Sequence, residues 1–300
     1  MHLVTLFDWD AERIDETLSL AAELKAEARE GKLAPTLERK TLALLFEKAS
    51  MRTRVSFEVA MAQLGGHVIY LSKDDVNLGV REPVRDGARV LSRYVDGIAA
   101  RVYSHQTIEE LAAHSSVPVI NALSDRAHPC QALGDMLTIR EHVNDPESAR
   151  VAFIGDANNV ARSLAVICAK LGLRFTIACP EGYGFDAGFL ARLGQAGGRV
   201  ETVHSPEAGA ADADVLYTDV WVSMGQEDEA DQRRRAFADY QLNAALLEQA
   251  SSRAIVMHCL PAHRGEEITD EVMEGPQSAV FDQAENRLHA ERALLQMLMD

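Results

Sequence analysis

Short apolar runs alternate along this chain with segments whose apolar residues recur at helical spacing, and the alternation runs twice. The first series predicts strands over residues 42–46, 67–71, 98–102 and 117–120, with helices over 54–64, 84–94 and 107–113 between them. A helix over 10–30, closed by Gly31, precedes it, and one over 131–142 follows. The second series predicts strands over 151–154, 174–178, 200–203, 215–217, 255–258 and 279–281, with helices over 160–171, 189–196 and 243–249. Strands joined by helical crossovers run parallel. The fold class is therefore α/β: two domains, each an open, mostly parallel sheet with helices on both faces. At 300 residues the chain also exceeds what one hydrophobic core usually serves. The polar join 144–148, which carries Pro146, divides a domain of residues 1–144 from one of 145–285. No strand follows the last helix, 286–300, which is expected to pack back on the first domain.

In such sheets ligands bind beyond the carboxyl ends of the strands. After the run 42–46 come Glu47, Lys48, Ala49, Ser50, Met51, Arg52, Thr53 and Arg54, leading into the helical set Phe57, Val59, Ala60, Met61 and Leu64. Arg52 and Arg54 fall in a first turn, where the helix dipole disfavours cations by about 0.3–1 kcal/mol each. A bound anion reverses that sign. Free N–H groups, the Ser50 and Thr53 hydroxyls and two guanidinium forks form a phosphate or carboxylate cradle; the alternative is a solvated arginine pair. Arg101, ending the run 97–102, adds a third cation to the same rim.

Charge limits which anion this is. With 30 Lys and Arg against 46 Asp and Glu, the net charge is −16, a surface that repels nucleic acid and anionic membranes. The anion is expected to be small and locally captured. No apolar stretch approaches the roughly 18 residues of a membrane span, and Asp8 and Asp10 stand where a signal peptide needs basic residues. Cys130, Cys168, Cys179 and Cys259 show no paired spacing, which fits reduced thiols in a cytoplasm.

Further polar residues fall at the same kind of place. His128 and Gln131, in His128-Pro129-Cys130-Gln131, can donate to a carbonyl-like oxygen at the head of a helix. After the run 151–154 comes a lone Gly155, with Asn158 and Asn159 where a dinucleotide fingerprint would need glycines, so that reading fails. Asn159 offers an amide to a small polar ligand instead. Asp219 to Gly225 leave the run 215–217, and the charged stretch 226–239 reads as weakly structured, a mobile lid. His258, Cys259, Leu260 and Pro261 follow the apolar residues 255–257. A zinc site drawn from His128, Cys130, His258, Cys259 and His263 lacks a paired ligand spacing, and a Cys–His hydrolase built on Cys259 is a further alternative.

Together these residues resemble the transcarbamylase family, and closely its ornithine carbamoyltransferase branch. The resemblance covers the chain end to end through Ser50–Arg54, His128–Gln131, Asp219 with Ser223, Met224 and Gly225, His258–Pro261, and Ala284–Arg287. It implies transfer of the carbamoyl group of carbamoyl phosphate to the δ-amine of ornithine, giving citrulline and phosphate. Carbamoyl phosphate would be held by Ser50, Met51, Arg52, Thr53, Asn77, Arg101, His128, Gln131, Cys259, Leu260 and Arg287. Ornithine would be held by Asn159, Asp219, Ser223 and Met224. Arg101, His128, Asp219 and Cys259 would serve the chemistry, with no cofactor and no metal. The resemblance also implies a homotrimer with sites at subunit interfaces. Met51 stands where the family has Thr, and Asn77 where it usually has Gln. A catalytically silent relative that only binds these ligands is the competing reading.

Overall fold

The apolar runs form two wholly parallel sheets. The computed structural model describes residues 1–76, 78–223 and 226–300, and the chain divides into two compact units, Met1–Leu137 with Glu285–Asp300, and Thr138–Ala284. The first unit holds β1 (Thr41–Phe46), β2 (His67–Ser72), β3 (Gly97–Arg101) and β4 (Val119–Leu123), in the order β2-β1-β3-β4. The second holds β5 (Arg150–Ile154), β6 (Arg174–Ala178), β7 (Val200–Val203), β8 (Val215–Thr218) and β9 (Ile255–His258), in the order β7-β6-β5-β8-β9.

Inner strands are covered on both faces, which is why they read as unbroken apolar runs rather than alternating ones. Every residue of β3 is buried, as is β1 from Leu42 onward, and so is the edge strand β4. Ala43, Leu45, Ile98 and Ala100 pack with Val84, Ala88, Ile108 and Leu111 of the helices Val84–Leu91 and His105–His114. On the opposite face Gly97 meets Leu42 and Met299, so the C-terminal helix covers that side. A Cβ at Gly97 would stand 2.9 Å from the Met299 sulfur, so a side chain there would force the Met299 thioether to shift.

Three expectations need correction. Residues 279–281 are not a strand: Ser278 makes a single bridge to Val256, and the helix Val280–Met299 starts at once, with the Gln283 N–H donating to the Ala279 carbonyl. Strand β4 begins at Val119 rather than at residue 117. The charged stretch 226–239 is ordered, through Glu227–Glu229, Ala230–Ala236 and Ala238–Tyr240. Its apolar anchor is Phe237, fully buried in the second unit's core with edge contacts to Tyr183 and Tyr240.

Candidate active site

Strand order reverses between β1 and β3 in the first unit, and between β5 and β8 in the second. In each sheet the crossovers leave in opposite directions there, opening a crevice at the carboxyl ends. The polar motifs fall at these two places.

In the first unit β1 leads through a short turn to Ser50, the N-cap of the helix Met51–Gln63. Its Oγ accepts from the Thr53 N–H at 3.4 Å and donates to the Thr53 hydroxyl at 3.2 Å. Thr53 is fully buried, and its hydroxyl also accepts from Arg287 Nη2 at 2.9 Å. The same Nη2 reaches Glu291 Oε1 at 3.0 Å, one turn along the helix Val280–Met299. Arg101 ends β3 directly beside Phe46 in register. His128 precedes the helix Pro129–His142, its carbonyl accepting the Gln131 and Ala132 N–H groups. Burial, then the charges of Arg287 and Arg101, hold the His128 imidazolium well below its ordinary range. His128 is thus a neutral ring among cations, suited to hydrogen bonding rather than to proton donation as an acid. Gln131 donates to Asp135 at 2.8 Å and keeps a buried carbonyl oxygen without a hydrogen-bond partner.

Thr53, Arg101, His128 and Arg287 are thus brought together. Arg54 is not part of the cradle: its guanidinium bonds Glu58 at 2.8 Å and lies 3.9 Å over the Tyr70 ring. Arg52 stays in the first turn, half-buried. The Met51 side chain is 71 % exposed, leaving its backbone as what it can offer an anion in the turn. The expected contacts of Asn77 and Met224 lie outside the described residues.

In the second unit Asp219 follows β8. Its Oδ2 accepts from Asn158 Nδ2 at 2.7 Å, and its Oδ1 accepts from the Cys259 thiol at 3.1 Å and the Val220 N–H at 2.8 Å. Asn158 caps the helix Asn159–Leu171 with its other amide atom, so it is Asn158 that reaches Asp219, while Asn159 is the first helical residue and half-buried. Ser223 stands half-buried, its N–H donating to Gln226 Oε1 at 3.0 Å. Leu260 has φ of 59°, a left-handed conformation that a non-glycine residue seldom adopts.

Asp219, His258 and Cys259 lie close enough to resemble a metal cluster. The His258 ring, however, is committed. Its Nδ1 accepts from the Leu260 N–H at 2.9 Å, so Nε2 carries the proton and donates to Glu267 Oε1 at 3.0 Å. Neither nitrogen is left for a metal, which removes the pairing that a zinc reading needs.

Four residues here were not singled out from the sequence: Asn158 as the partner of Asp219, Glu267, Arg233 and Glu291. Arg233 is buried and donates to Asp156 Oδ2 at 3.0 Å. One Arg of the triplet Arg233-Arg234-Arg235 in a charged run and a Glu in a helix carry no sequence signal of burial. Only the i,i+4 spacing of Arg287 and Glu291 was there to be seen.

Two parallel-sheet domains, one with an arginine-lined anion cradle and the other with an oriented carboxylate, describe a two-substrate α/β enzyme fold. Residues 1–141 match the carbamoyl-P binding domain of aspartate/ornithine carbamoyltransferase, and residues 147–298 match its Asp/Orn binding domain. The chain belongs to the aspartate/ornithine carbamoyltransferase family. It is 51% identical over 297 residues to the ornithine carbamoyltransferase of Methanosarcina mazei, covering 99% of this chain and 98% of that one. The solved ornithine carbamoyltransferase of Pyrococcus furiosus superposes with a TM-score of 0.96 at 50% identity, over 99% of this chain and 96% of that chain. That of Gloeobacter violaceus gives 0.88 at 49% identity, over 100% and 98%.

Proposed function

We propose that the chain transfers the carbamoyl group of carbamoyl phosphate to the δ-amine of L-ornithine, releasing L-citrulline and phosphate. The observation that carries this is the set around Thr53: a capped helix N-terminus, two arginines and a neutral buried histidine at one switch point. Ser50, Met51, Arg52 and Thr53 hold the phosphate with Arg101. Thr53, Arg101 and His128 polarise the carbamoyl oxygen, Gln131 stands at the amide, and Arg287 closes the pocket. The resemblance also assigns Asn77, Cys259 and Leu260 to carbamoyl phosphate.

Asn159, Asp219, Ser223 and Met224 take ornithine. An alkyl ammonium with an ordinary pKa near 10.4 must shed a proton before it can attack. The amine nitrogen forms a bond to the carbamoyl carbon, the carbon–oxygen bond to phosphate breaks, and the amine proton leaves on the departing phosphate. No dedicated base is needed, so positioning and hydrogen bonds to the developing oxyanion supply the rate. Asp219 orients the amine, and Cys259, whose thiol donates to Asp219, lines the site rather than forming a covalent bond.

Acceptor choice follows from charge. Asp219 is an anion that favours a cationic amine and repels the second carboxylate of aspartate. Lysine is one methylene too long, a difference of about 1–3 kcal/mol in a fitted pocket. Steady-state assay with ornithine, aspartate, putrescine and N-acetylornithine should give ornithine the highest kcat/KM. Asp219→Asn should lose most activity while still binding carbamoyl phosphate. A higher kcat/KM with any of the other amines refutes the acceptor assignment.

A homotrimer belongs to the same reading. Met51, Val55 and Ile69, the last on edge strand β2, are exposed apolar side chains of the kind that associating chains bury. Sedimentation at the mass of a single chain would exclude it. Among the described residues no helix is long and apolar enough to cross a membrane. Cys130, Cys168, Cys179 and Cys259 are not in disulfides, in keeping with a cytoplasmic enzyme.

A further inference from the structure

Glu291 is a fully buried carboxyl for which the mechanism above has no use. Its Oε1 accepts from Arg287 Nη2 at 3.0 Å, and that same nitrogen donates to the Thr53 hydroxyl at 2.9 Å. The Ser56 hydroxyl lies within reach of the carboxylate, but Glu291 Oε2 is buried without a hydrogen bond of standard geometry. Glu291, Arg287 and Thr53 therefore form a chain, closed from water, that ends in the first turn of the anion cradle. The C-terminal helix cannot easily relax around it, since a Cβ on Gly134 would lie 3.2 Å from the Arg287 backbone nitrogen and Cγ.

We propose that Glu291 is a positioning residue for Arg287 and the proton acceptor of the first unit, taking up one proton when carbamoyl phosphate binds. This rests on carbamoyl phosphate being the anion held there. The carboxylate anchors the Arg287 fork toward Thr53 and also cancels part of the positive field that Arg287 offers an incoming anion. A dianion arriving in the cradle places negative charge on the same arginine and disfavours ionised Glu291. A proton from solvent then goes onto Oε2, the oxygen that does not bond Arg287.

The surroundings agree with this. Burial already pushes the Glu291 carboxyl up to about 7, against the pull of Arg287 and the Ser56 hydroxyl. From the helix Met51–Gln63 it is faced by Ser56 and Thr53, and from Pro129–His142 by Cys130, whose thiol burial and Glu291 together push up. Beyond Arg287 stand His128 and Arg101. Asp135 is engaged by Gln131, Lys25 by Asn286, and Arg292 by the Leu24 carbonyl and His289.

The test is the dissociation constant of carbamoyl phosphate from about pH 6.5 to 8.5, with calorimetry in two buffers of different protonation enthalpy, on the full chain and on Glu291→Gln. The parent should weaken as pH rises, by up to about tenfold per unit above pH 7, and should take up close to one proton at the alkaline end. Glu291→Gln keeps an acceptor for Arg287 but cannot titrate, so its profile should be flatter and its proton uptake lower by the same amount. Equal slopes and equal uptake in the two proteins overturn the proposal. If Glu291→Gln does not fold, absence of proton uptake in the parent alone overturns it. No carbamoyl phosphate binding at any pH would instead overturn the proposed function, and this inference with it.

Discussion

Removing the Arg233 guanidinium should destabilise the second unit by an amount that grows with pH. Arg233 Nη1 donates to Asp156 Oδ2 at 3.0 Å and to the Trp221 carbonyl at 3.3 Å, and its Nε donates to Glu229 Oε2 at 3.0 Å. The Glu229 side chain is 59 % exposed, so that arm contributes well under about 1 kcal/mol. Asp156 is different, because both partners are buried and deletion of one leaves an uncompensated charge, at about 3–5 kcal/mol. Arg233→Ala should therefore cost about 3–5 kcal/mol, which lowers Tm by roughly 10 °C for a unit of this size.

The pH dependence follows from the direction of the Asp156 shift. Burial raises its carboxyl above the ordinary 3.8 and Arg233 opposes that rise, so loss of Arg233 raises it further. A carboxyl with a raised folded-state pKa binds more protons folded than unfolded, so stability falls as pH climbs from the unfolded value through the folded one. The Arg233→Ala deficit should be smallest near pH 4 to 5 and full at neutral pH. Thermal unfolding of parent, Arg233→Ala, Asp156→Asn and the double variant across that range checks this, the double variant recovering much of the loss. A deficit below about 1 kcal/mol, or one independent of pH, would refute the view that a buried charge pair holds residues 226–240 in place.

Arg52→Ala should leave the fold intact and lower kcat/KM for carbamoyl phosphate by about 10²–10³, since in the proposed site its charge would meet the growing charge of the leaving phosphate. Near-parental kcat/KM in the folded variant would remove Arg52 from the site. Cys259→Ser keeps a donor to Asp219 and should retain measurable turnover. Mass spectrometry of the parent mixed with carbamoyl phosphate alone should show no adduct, and a carbamoylated Cys259 would contradict direct attack by the amine.

Much of this architecture was legible in the sequence, for a physical reason. Strands covered on both faces must be apolar throughout, so β1, β3, β5 and β8 appeared as runs with at most one residue of error at either end. The triplet Ala279-Val280-Phe281 misled because three apolar residues fit equally the end of a strand and the first turn of a helix. Its neighbour Ser278 settles the matter by making only one bridge. Charge density misled at 226–239. What orders that stretch is Phe237 and the Arg233–Asp156 pair, whose members are 77 residues apart in sequence. Arg54 misled in the opposite sense: its partner Glu58 was visible at i,i+4, but Tyr70 on the edge strand was not.

Register explains why residues so far apart meet at Asp219. Strand β8 lies between β5 and β9, and Thr218 is aligned with Ile154 on one side and His258 on the other. The residues that leave those three strands therefore emerge side by side: Gly155 to Asn158, Asp219, and Cys259. Asn158 then reaches one carboxylate oxygen and Cys259 the other. A carboxylate gripped from both flanking strands has its plane fixed by the sheet, so the ammonium of the proposed amine substrate would meet an acceptor already oriented. The same logic applies in the first unit, where Phe46 is aligned with Arg101 and the turn to Ser50 starts beside that arginine. A slip of one residue in either pairing would turn these side chains to the opposite face, so the apolar packing that fixes the register also fixes the geometry of the polar ends.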